Sequence, residues 1–258
     1  MSVIKGNLAV FSTVSRQWWS TRTGLLPEER FLIETYLDRE KKTLEAGTAG
    51  GRILLEMRTL GFTSLYGFDY VPELIEAAKK RDLIGSIQFE VGNAVSLAYT
   101  DAFFDQVVYL QQVLCFIDDD ALRLNAIREA YRILKPGGTA LISLLSYDAR
   151  KQSPLYGAYL SYLWLMRTLR RSKRPIQYLP WLKLAGKVNW GALADRGPYV
   201  YWYETREVIQ QLKLAGFQIA AAGSNRQIEQ QHMHKSTEDL FKKPIEGMLY
   251  FVCHKPAM

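Results

Sequence analysis

Between Thr43 and Ser146, short apolar runs alternate with longer stretches whose apolar residues return every three or four positions, and this rhythm narrows the possible folds more than any other feature. The runs predict strands over Thr43–Ala46, Ser64–Asp69, Ile87–Val91, Gln106–Leu110 and Thr139–Leu144. Between them, Ile53, Met57 and Leu60 share one face of a first helix, and Leu74, Ile75 and Ala78 one face of a second. Pro72 suits the first turn of that second helix, where its missing N–H costs nothing, and Glu73 meets the positive end of the helix dipole. A third helix is predicted from about Asp118 to Leu134, ended by Lys135-Pro136-Gly137-Gly138. Strand, helix, strand in repetition implies a parallel sheet covered on both faces.

After Ser146 the rhythm breaks. Leu155–Met166 is apolar and aromatic-rich, and runs into a basic, proline-punctuated stretch through Pro180-Trp181. Regularity returns with Thr205 as the expected N-cap of a helix over Arg206–Ala215, which stops at Gly216. Strands are then predicted over Gln218–Ala222 and Met248–His254, with a short helix near Thr237–Phe241 between them. These breaks divide one domain of 258 residues into an N-terminal cap (1–42), a core (43–146), an inserted lid (147–203) and a core completion (204–258).

No run approaches the roughly 20 apolar residues that a membrane span needs. Met1–Val14 has one lysine and no long apolar stretch, which argues against a signal peptide, so the expected location is the cytoplasm or the periphery of a membrane. Cys115 and Cys253 sit in apolar, strand-like surroundings without metal-type spacing, and are expected to be reduced core residues with no metal site. The net charge of +7 is concentrated: Ala149–Ala194 holds nine basic residues and no acidic one, leaving 24 basic against 26 acidic residues elsewhere.

Glu45-Ala46-Gly47-Thr48-Ala49-Gly50-Gly51-Arg52 joins the first predicted strand to the first helix. Small residues there let the backbone adopt left-handed angles and bring its N–H groups against a ligand at a helix start. In a doubly wound sheet the ligand lies beyond the carboxyl ends of the strands. Three further segments would converge on that place: Asp69, Gly92-Asn93-Ala94 and Leu110-Gln111-Gln112. A carboxylate at 69 can accept from both hydroxyls of a ribose, and an amide at 93 can read an adenine edge. A nicotinamide dinucleotide and an adenosyl cofactor both fit these groups, and the loop spacing separates them. The dinucleotide fingerprint wants glycines at its first, third and sixth positions; counting from Gly47, the chain has Ala49 and Arg52 instead. Glu45 sits poorly beside a pyrophosphate and suits a cofactor with a cationic end.

This order of motifs resembles the class I S-adenosylmethionine-dependent methyltransferases, and most of all the small-molecule group that includes the ubiquinone and menaquinone methyltransferases. The resemblance covers Thr43–Leu145 and resumes from Glu204 to Tyr250-Phe251-Val252-Cys253-His254-Lys255-Pro256. The family's acidic residue followed by glycines at every second position reads Glu45, Gly47, Ala49, Gly51 here. Asp69 matches the acidic end of the second strand, Gly92-Asn93-Ala94 the "GDA" element, and Ala102-Phe103-Phe104-Asp105-Gln106-Val107-Val108 the "FD-V-V" strand. The most specific match is Tyr131-Arg132-Ile133-Leu134-Lys135-Pro136-Gly137-Gly138.

The resemblance implies a Rossmann-like sheet of seven strands, mostly parallel with an antiparallel last strand, flanked by a helical cap and a helical insertion after the fifth strand. It implies S-adenosyl-L-methionine as cofactor, with Asp69 on the ribose, Asn93 and Ala94 on the adenine, and Glu45, Gly47, Thr48, Ala49 and Gly51 around the methionine end. Arg22, Tyr70 and Gln111 complete the implied cofactor set. Two positions depart from the pattern: Ala49 adds a methyl group where a glycine is usual, and Asn93 replaces an aspartate while keeping an acceptor oxygen.

Methyl transfer from a sulfonium is an in-line displacement, so alignment alone can supply as much as ~7–11 kcal/mol and a fixed catalytic residue is optional. Tyr147, beside Asp148 just past the fifth strand, and His232, with His234 in a later connection, are the catalytic candidates; His254 reads as structural. The aromatics of the cap and insertion predict an apolar acceptor pocket, with Trp18, Trp19, Gln112, Tyr147, Trp202 and Tyr203 as its candidate lining. An apolar, aromatic or isoprenoid-like small molecule is therefore the expected methyl acceptor. The stretch 155–174 reads either as an ordinary solvated lid or as a peripheral membrane contact. Nucleic acid is a disfavoured partner, because no Asp-Pro-Pro-Tyr-like or cysteine nucleophile element follows the fourth strand at Leu110–Cys115. A non-catalytic adenosyl-binding protein is the alternative outside enzymes.

Overall fold

The computed structural model describes residues 16–184 and 187–257, so the reading of Met1–Val14 lies outside the described residues. Among the described residues, two helices, α1 (Arg16–Thr21) and α2 (Pro27–Tyr36), precede the sheet. The core then runs β1 (Thr43–Ala46), α3 (Arg52–Thr59), β2 (Leu65–Asp69), α4 (Pro72–Arg81), β3 (Ile87–Val91), β4 (Phe104–Tyr109), α5 (Asp120–Ile133) and β5 (Leu134–Leu145). The insertion holds α6 (Tyr147–Gln152), α7 (Pro154–Leu169), β6 (Tyr178–Pro180), a small hairpin of β7 (Lys183–Leu184) and β8 (Lys187–Val188), and β9 (Tyr199–Tyr201). The chain finishes with α8 (Thr205–Leu214), β10 (Gln218–Ser224), α9 (Asn225–Glu229) and β11 (Met248–His254).

Seven strands form one sheet in the order β10-β11-β5-β4-β1-β2-β3. β11 runs antiparallel to both its neighbours, and the remaining pairs are parallel. The seven-stranded α/β sheet expected from the sequence is therefore the fold of the protein. All four residues of β1 are buried because both faces of the sheet are covered. Neighbouring strand residues feed opposite layers: Val107 and Ile142 join one apolar cluster, Val108 and Leu141 the other. Strand order reverses between β1 and β4, which opens a crevice at their carboxyl ends.

Three local expectations are corrected. Lys135-Pro136-Gly137-Gly138 continues β5 instead of forming a separate turn, since the Gly137 N–H donates to Lys255 O at 2.8 Å and the Lys255 N–H to Gly138 O at 3.0 Å. Thr205 begins α8 itself, and its N–H and Oγ–H both donate to Asp148 Oδ2, at 2.8 and 2.7 Å. Asp148 therefore anchors a helix start rather than facing an acceptor. Cys115 lies in a 3-10 turn over Val113–Phe116 rather than a strand, although it and Cys253 are both buried and free.

The insertion has a small core of its own, built from Tyr147, Leu160, Leu163 and Leu179. Arg167 on α7 ties it together through a buried bidentate pair with Asp195, at 2.9 and 2.7 Å. Arg123 on α5 joins it to the core. Its fully buried guanidinium lies 3.5 Å from the Tyr201 ring centroid and donates to the Tyr178 hydroxyl and Ile117 O, both at 2.8 Å.

Candidate active site

The loop after β1 folds as the small residues dictate. Gly47, Ala49 and Gly51 all take left-handed angles, with φ of 62°, 47° and 77°. Only the two glycines adopt that region without steric cost, so Ala49 is held there against its own preference. Its partner is Asp69: the Ala49 N–H donates to Asp69 Oδ2 at 3.0 Å, while the Val71 N–H donates to Oδ1 at 3.0 Å. Burial pushes the Asp69 carboxyl up to about 6, against the opposing pull of these backbone donors.

Each glycine here answers a close approach. A Cβ on Gly47 would lie 2.8 Å from Val113 Cγ2, across the crevice. A Cβ on Gly50 would lie 2.6 Å from Ser20 O, because α1 is seated directly on the loop. Arg81 fastens this seat by donating to Gly50 O and Arg22 O at 2.7 Å and to Ser20 O at 3.0 Å. The seating brings Trp19 to the crevice wall.

Behind the loop lies a buried charge network. Arg52 forms two 2.6 Å bonds to the carboxylate of Glu29 on α2, and Gln111 Nε2 donates to the same carboxylate. Glu45 faces this layer, accepting from Thr48 Oγ1 at 2.6 Å. Burial pushes its carboxyl up to about 8, although the Thr48 hydrogen bond and the Arg52 charge pull it down.

The resulting cleft encloses about 940 Å³ including its open mouth. Asp69, Asn93 and Gln111 supply its polar groups, and Trp19, Tyr70, Leu74, Val113, Phe116 and Ile117 its larger walls. The 113–117 wall stands where it does because Gln111 and Gln112 both adopt left-handed angles, φ 67° and 59°, turning the chain sharply after β4. Consecutive non-glycine residues in that region are uncommon and gather at functional sites.

Residues 44–142 match a family described as a methyltransferase domain. The chain is 28% identical over 107 residues to a ubiquinone/menaquinone biosynthesis C-methyltransferase of Geotalea daltonii, covering 39% of this chain and 44% of that one. It is 26% identical over 158 residues to a ubiquinone biosynthesis O-methyltransferase of Pseudomonas putida, covering 58% and 66%. It thus spans about half the length of the curated relatives it matches. A SAM-dependent methyltransferase from Methanosarcina mazei shares the fold with a TM-score of 0.64 at 20% identity, over 88% of this chain and 98% of that one. The chain carries a class I S-adenosylmethionine-dependent methyltransferase domain.

An adenosyl group fits this methyltransferase cleft on two observations. A carboxylate offers about four acceptor sites, and Ala49 and Val71 occupy one on each Asp69 oxygen, leaving acceptor capacity for a diol. The 47–49 turn presents backbone where a side chain at 47 would strike Val113. Of the residues expected to hold the cofactor, Gly47, Ala49, Asp69, Tyr70, Asn93, Ala94 and Gln111 line the cleft together. Asn93 Oδ1 also accepts from the Val95 N–H at 3.2 Å. Glu45 and Thr48 stand behind the loop bonded to each other, and Gly51 caps α3, where a Cβ would meet Phe89 at 2.9 Å. Arg22 lies 4.3 Å from the Trp18 ring centroid, at the edge of the cap.

The expected acceptor residues are mostly elsewhere. Trp19 lines the cleft, whereas Trp18 is 49% exposed. Gln112 turns toward Met248, 3.5 Å from its sulfur, and Tyr147 packs inside the insertion core. Tyr203 is fully buried against Tyr201, and the Trp202 ring lies under Arg150 at 4.1 Å. His232 is exposed beyond α9 and does not line the cleft, and His234 is tied by two backbone bonds to Ala222. The wall residues that sequence reasoning missed are Val113, Phe116 and Ile117. From the insertion, Trp181 meets this wall with its ring centroid 5.3 Å from that of Phe116.

Proposed function

We propose that the protein transfers a methyl group from S-adenosylmethionine to an oxygen, nitrogen or carbon of an apolar, aromatic or isoprenoid-like small molecule. The observation that carries this reading is the placement of Asp69: a buried carboxylate, anchored by backbone donors, opening onto a cleft otherwise walled by apolar and aromatic groups. Asp69 accepts from the ribose hydroxyls, Asn93 and Ala94 meet the adenine, and the 47–49 turn with Gln111 borders the methionine end. Arg22 acts on that end through charge from the cap, and Glu45 braces the loop from behind through its hydrogen bond with Thr48. When bound, the cofactor supplies an electrophilic methyl group whose sulfur keeps the electron pair of the broken bond.

The chain's own part is alignment and exclusion of water. Trp19, Tyr70, Phe116 and Ile117 make the acceptor side apolar, so a flat ring stacks there without leaving polar groups unbonded. Tyr70 keeps its proton, because burial and then the negative charges of Asp69 and Asp118 raise its hydroxyl above the ordinary range. Among the described cleft-lining residues there is no histidine to serve as a base. An acceptor atom that is nucleophilic without first losing a proton, such as an electron-rich ring carbon of a hydroquinone, suits such a site. The names of the two quinone-pathway relatives support the same class. Residues 147–203 serve as the lid of this single domain.

The test is transfer of labelled methyl from the cofactor to a short-tailed prenyl hydroquinone, run beside total RNA. Label in the organic extract is expected. Label in RNA alone, or no transfer by protein that binds the cofactor, would overturn the acceptor class.

A further inference from the structure

Helix α7 has two apolar faces, one packed inward and the other largely exposed. Leu160, Leu163 and the stem of Arg167 turn inward to the insertion core. On the opposite side Leu155, Ala158, Tyr162, Leu165 and Leu169 follow one another at alternating spacings of three and four, which places them in one stripe. That stripe is exposed: Leu155 by 81%, Leu165 by 50% and Leu169 by 73%. A lid helix that merely met solvent would be polar here.

The stripe extends sideways. Tyr159 and Tyr162 donate their hydroxyls to Ala192 O and Leu193 O at 3.0 and 2.7 Å, and Arg170 donates to Ala194 O at 2.8 Å. These bonds hold the 190–194 segment alongside α7, adding Leu193 and the 74% exposed Trp190 to the same surface. Contiguous apolar surface of this kind marks an interaction site.

Charge identifies the partner. Arg170 and Arg171 follow the stripe directly and are exposed, as are Lys183 and Lys187 in the hairpin that precedes the 190–194 segment, whereas Lys173 shares a separate cavity with Asp118, Asp119 and Asp120. The nearest carboxylate downstream, Asp195, is consumed by its buried pair with Arg167. A second copy of the chain would bring the same cationic rim against this one, whereas an anionic bilayer offers both negative charge and an apolar interior. At 16 residues α7 is too short to span that bilayer, so it would lie in the interface plane.

We propose that the α7 stripe and the 190–194 segment dock the protein onto an anionic phospholipid bilayer. The insertion that carries this surface also touches the cleft: Trp181, just before the β7–β8 hairpin, packs its ring on Phe116 of the cleft wall. Passage of a membrane-held acceptor to the cleft rests on the methyltransferase reading; the docking itself does not.

The test is flotation of the full chain with vesicles of phosphatidylcholine, alone or mixed with phosphatidylglycerol. Co-flotation with the anionic vesicles only, lost as salt rises, is expected. Neutralising Arg170 and Arg171 to Gln should weaken partitioning on the order of thirtyfold, and Leu165→Glu with Leu169→Glu should abolish it. Circular dichroism and cofactor binding, both unchanged, would show that these variants remain folded. The proposal is overturned if the parent chain stays with the unbound fraction or if the variants float as it does. It is equally overturned if the Glu variant only converts a dimer to a monomer. Since flotation needs no turnover, its failure is separable from failure of the methyl-transfer reading.

Discussion

Ala49 offers the sharpest quantitative test, because its backbone and its side chain disagree. With φ at 47° it occupies the left-handed region, which costs an L-residue about 1–2 kcal/mol. Glycine removes that cost but gives back about 0.5–1 kcal/mol through the freedom it adds to the unfolded chain. Ala49→Gly should therefore stabilise the protein by roughly 0.5–1 kcal/mol, since the hydrogen bond to Asp69 is made by the backbone and survives. For a chain of this size, 1 kcal/mol corresponds to about 2–4 °C in Tm, so a rise of about 1–4 °C is expected by scanning calorimetry. Removing the methyl group also clears the cleft wall, and the Kd for S-adenosylmethionine should not increase. Ala49→Val, branched at Cβ, should move both quantities the opposite way. An unchanged or lowered Tm for Ala49→Gly would refute the claim that the loop is strained at this residue.

Arg52→Met leaves the buried Glu29 carboxylate without its cation and should cost about 3–5 kcal/mol by chemical denaturation, partly restored by adding Glu29→Gln. Gly50→Val cannot coexist with Ser20 at its present distance, so α1 should lift; expected are faster proteolysis around residues 16–24 and weaker cofactor binding with the core still folded. Glu45 is raised to about 8 in the folded state, so the folded chain holds a proton that the unfolded chain releases near 4.5. Stability should accordingly fall as pH rises between those values, by at most about 1.4 kcal/mol per unit, and Glu45→Gln should flatten that slope. Cofactor affinity should run the other way, weakening as pH drops below about 6, because protonating Asp69 removes an acceptor from the ribose site.

What could be read from the sequence was what short range decides. The bounds of β1, β3 and β11 follow from apolar runs between turn residues, and Asp69 was identifiable because a strand end in a parallel sheet points its last residues at the ligand. The 113–117 wall was hidden because, although the strand was expected to end at Leu110, nothing in two glutamines announces the left-handed angles that turn the chain there. Glu29 was hidden for a different reason: it meets Gln111 across 82 residues, through a fold that local patterns do not encode. The aromatics misled in their own way. Tyr147 and Tyr203 fill cores of the insertion and its seam, and composition does not distinguish a ring that fills a core from one that faces a cavity.

The account turns on an adenosyl cofactor held by Asp69, and isothermal titration measures that directly. The protein should bind S-adenosylmethionine and S-adenosylhomocysteine with one-to-one stoichiometry, and Asp69→Ala, shown to be folded by its melting curve, should weaken both by at least tenfold. No heat of binding from either compound, or equal affinity in the folded Asp69→Ala variant, would contradict it.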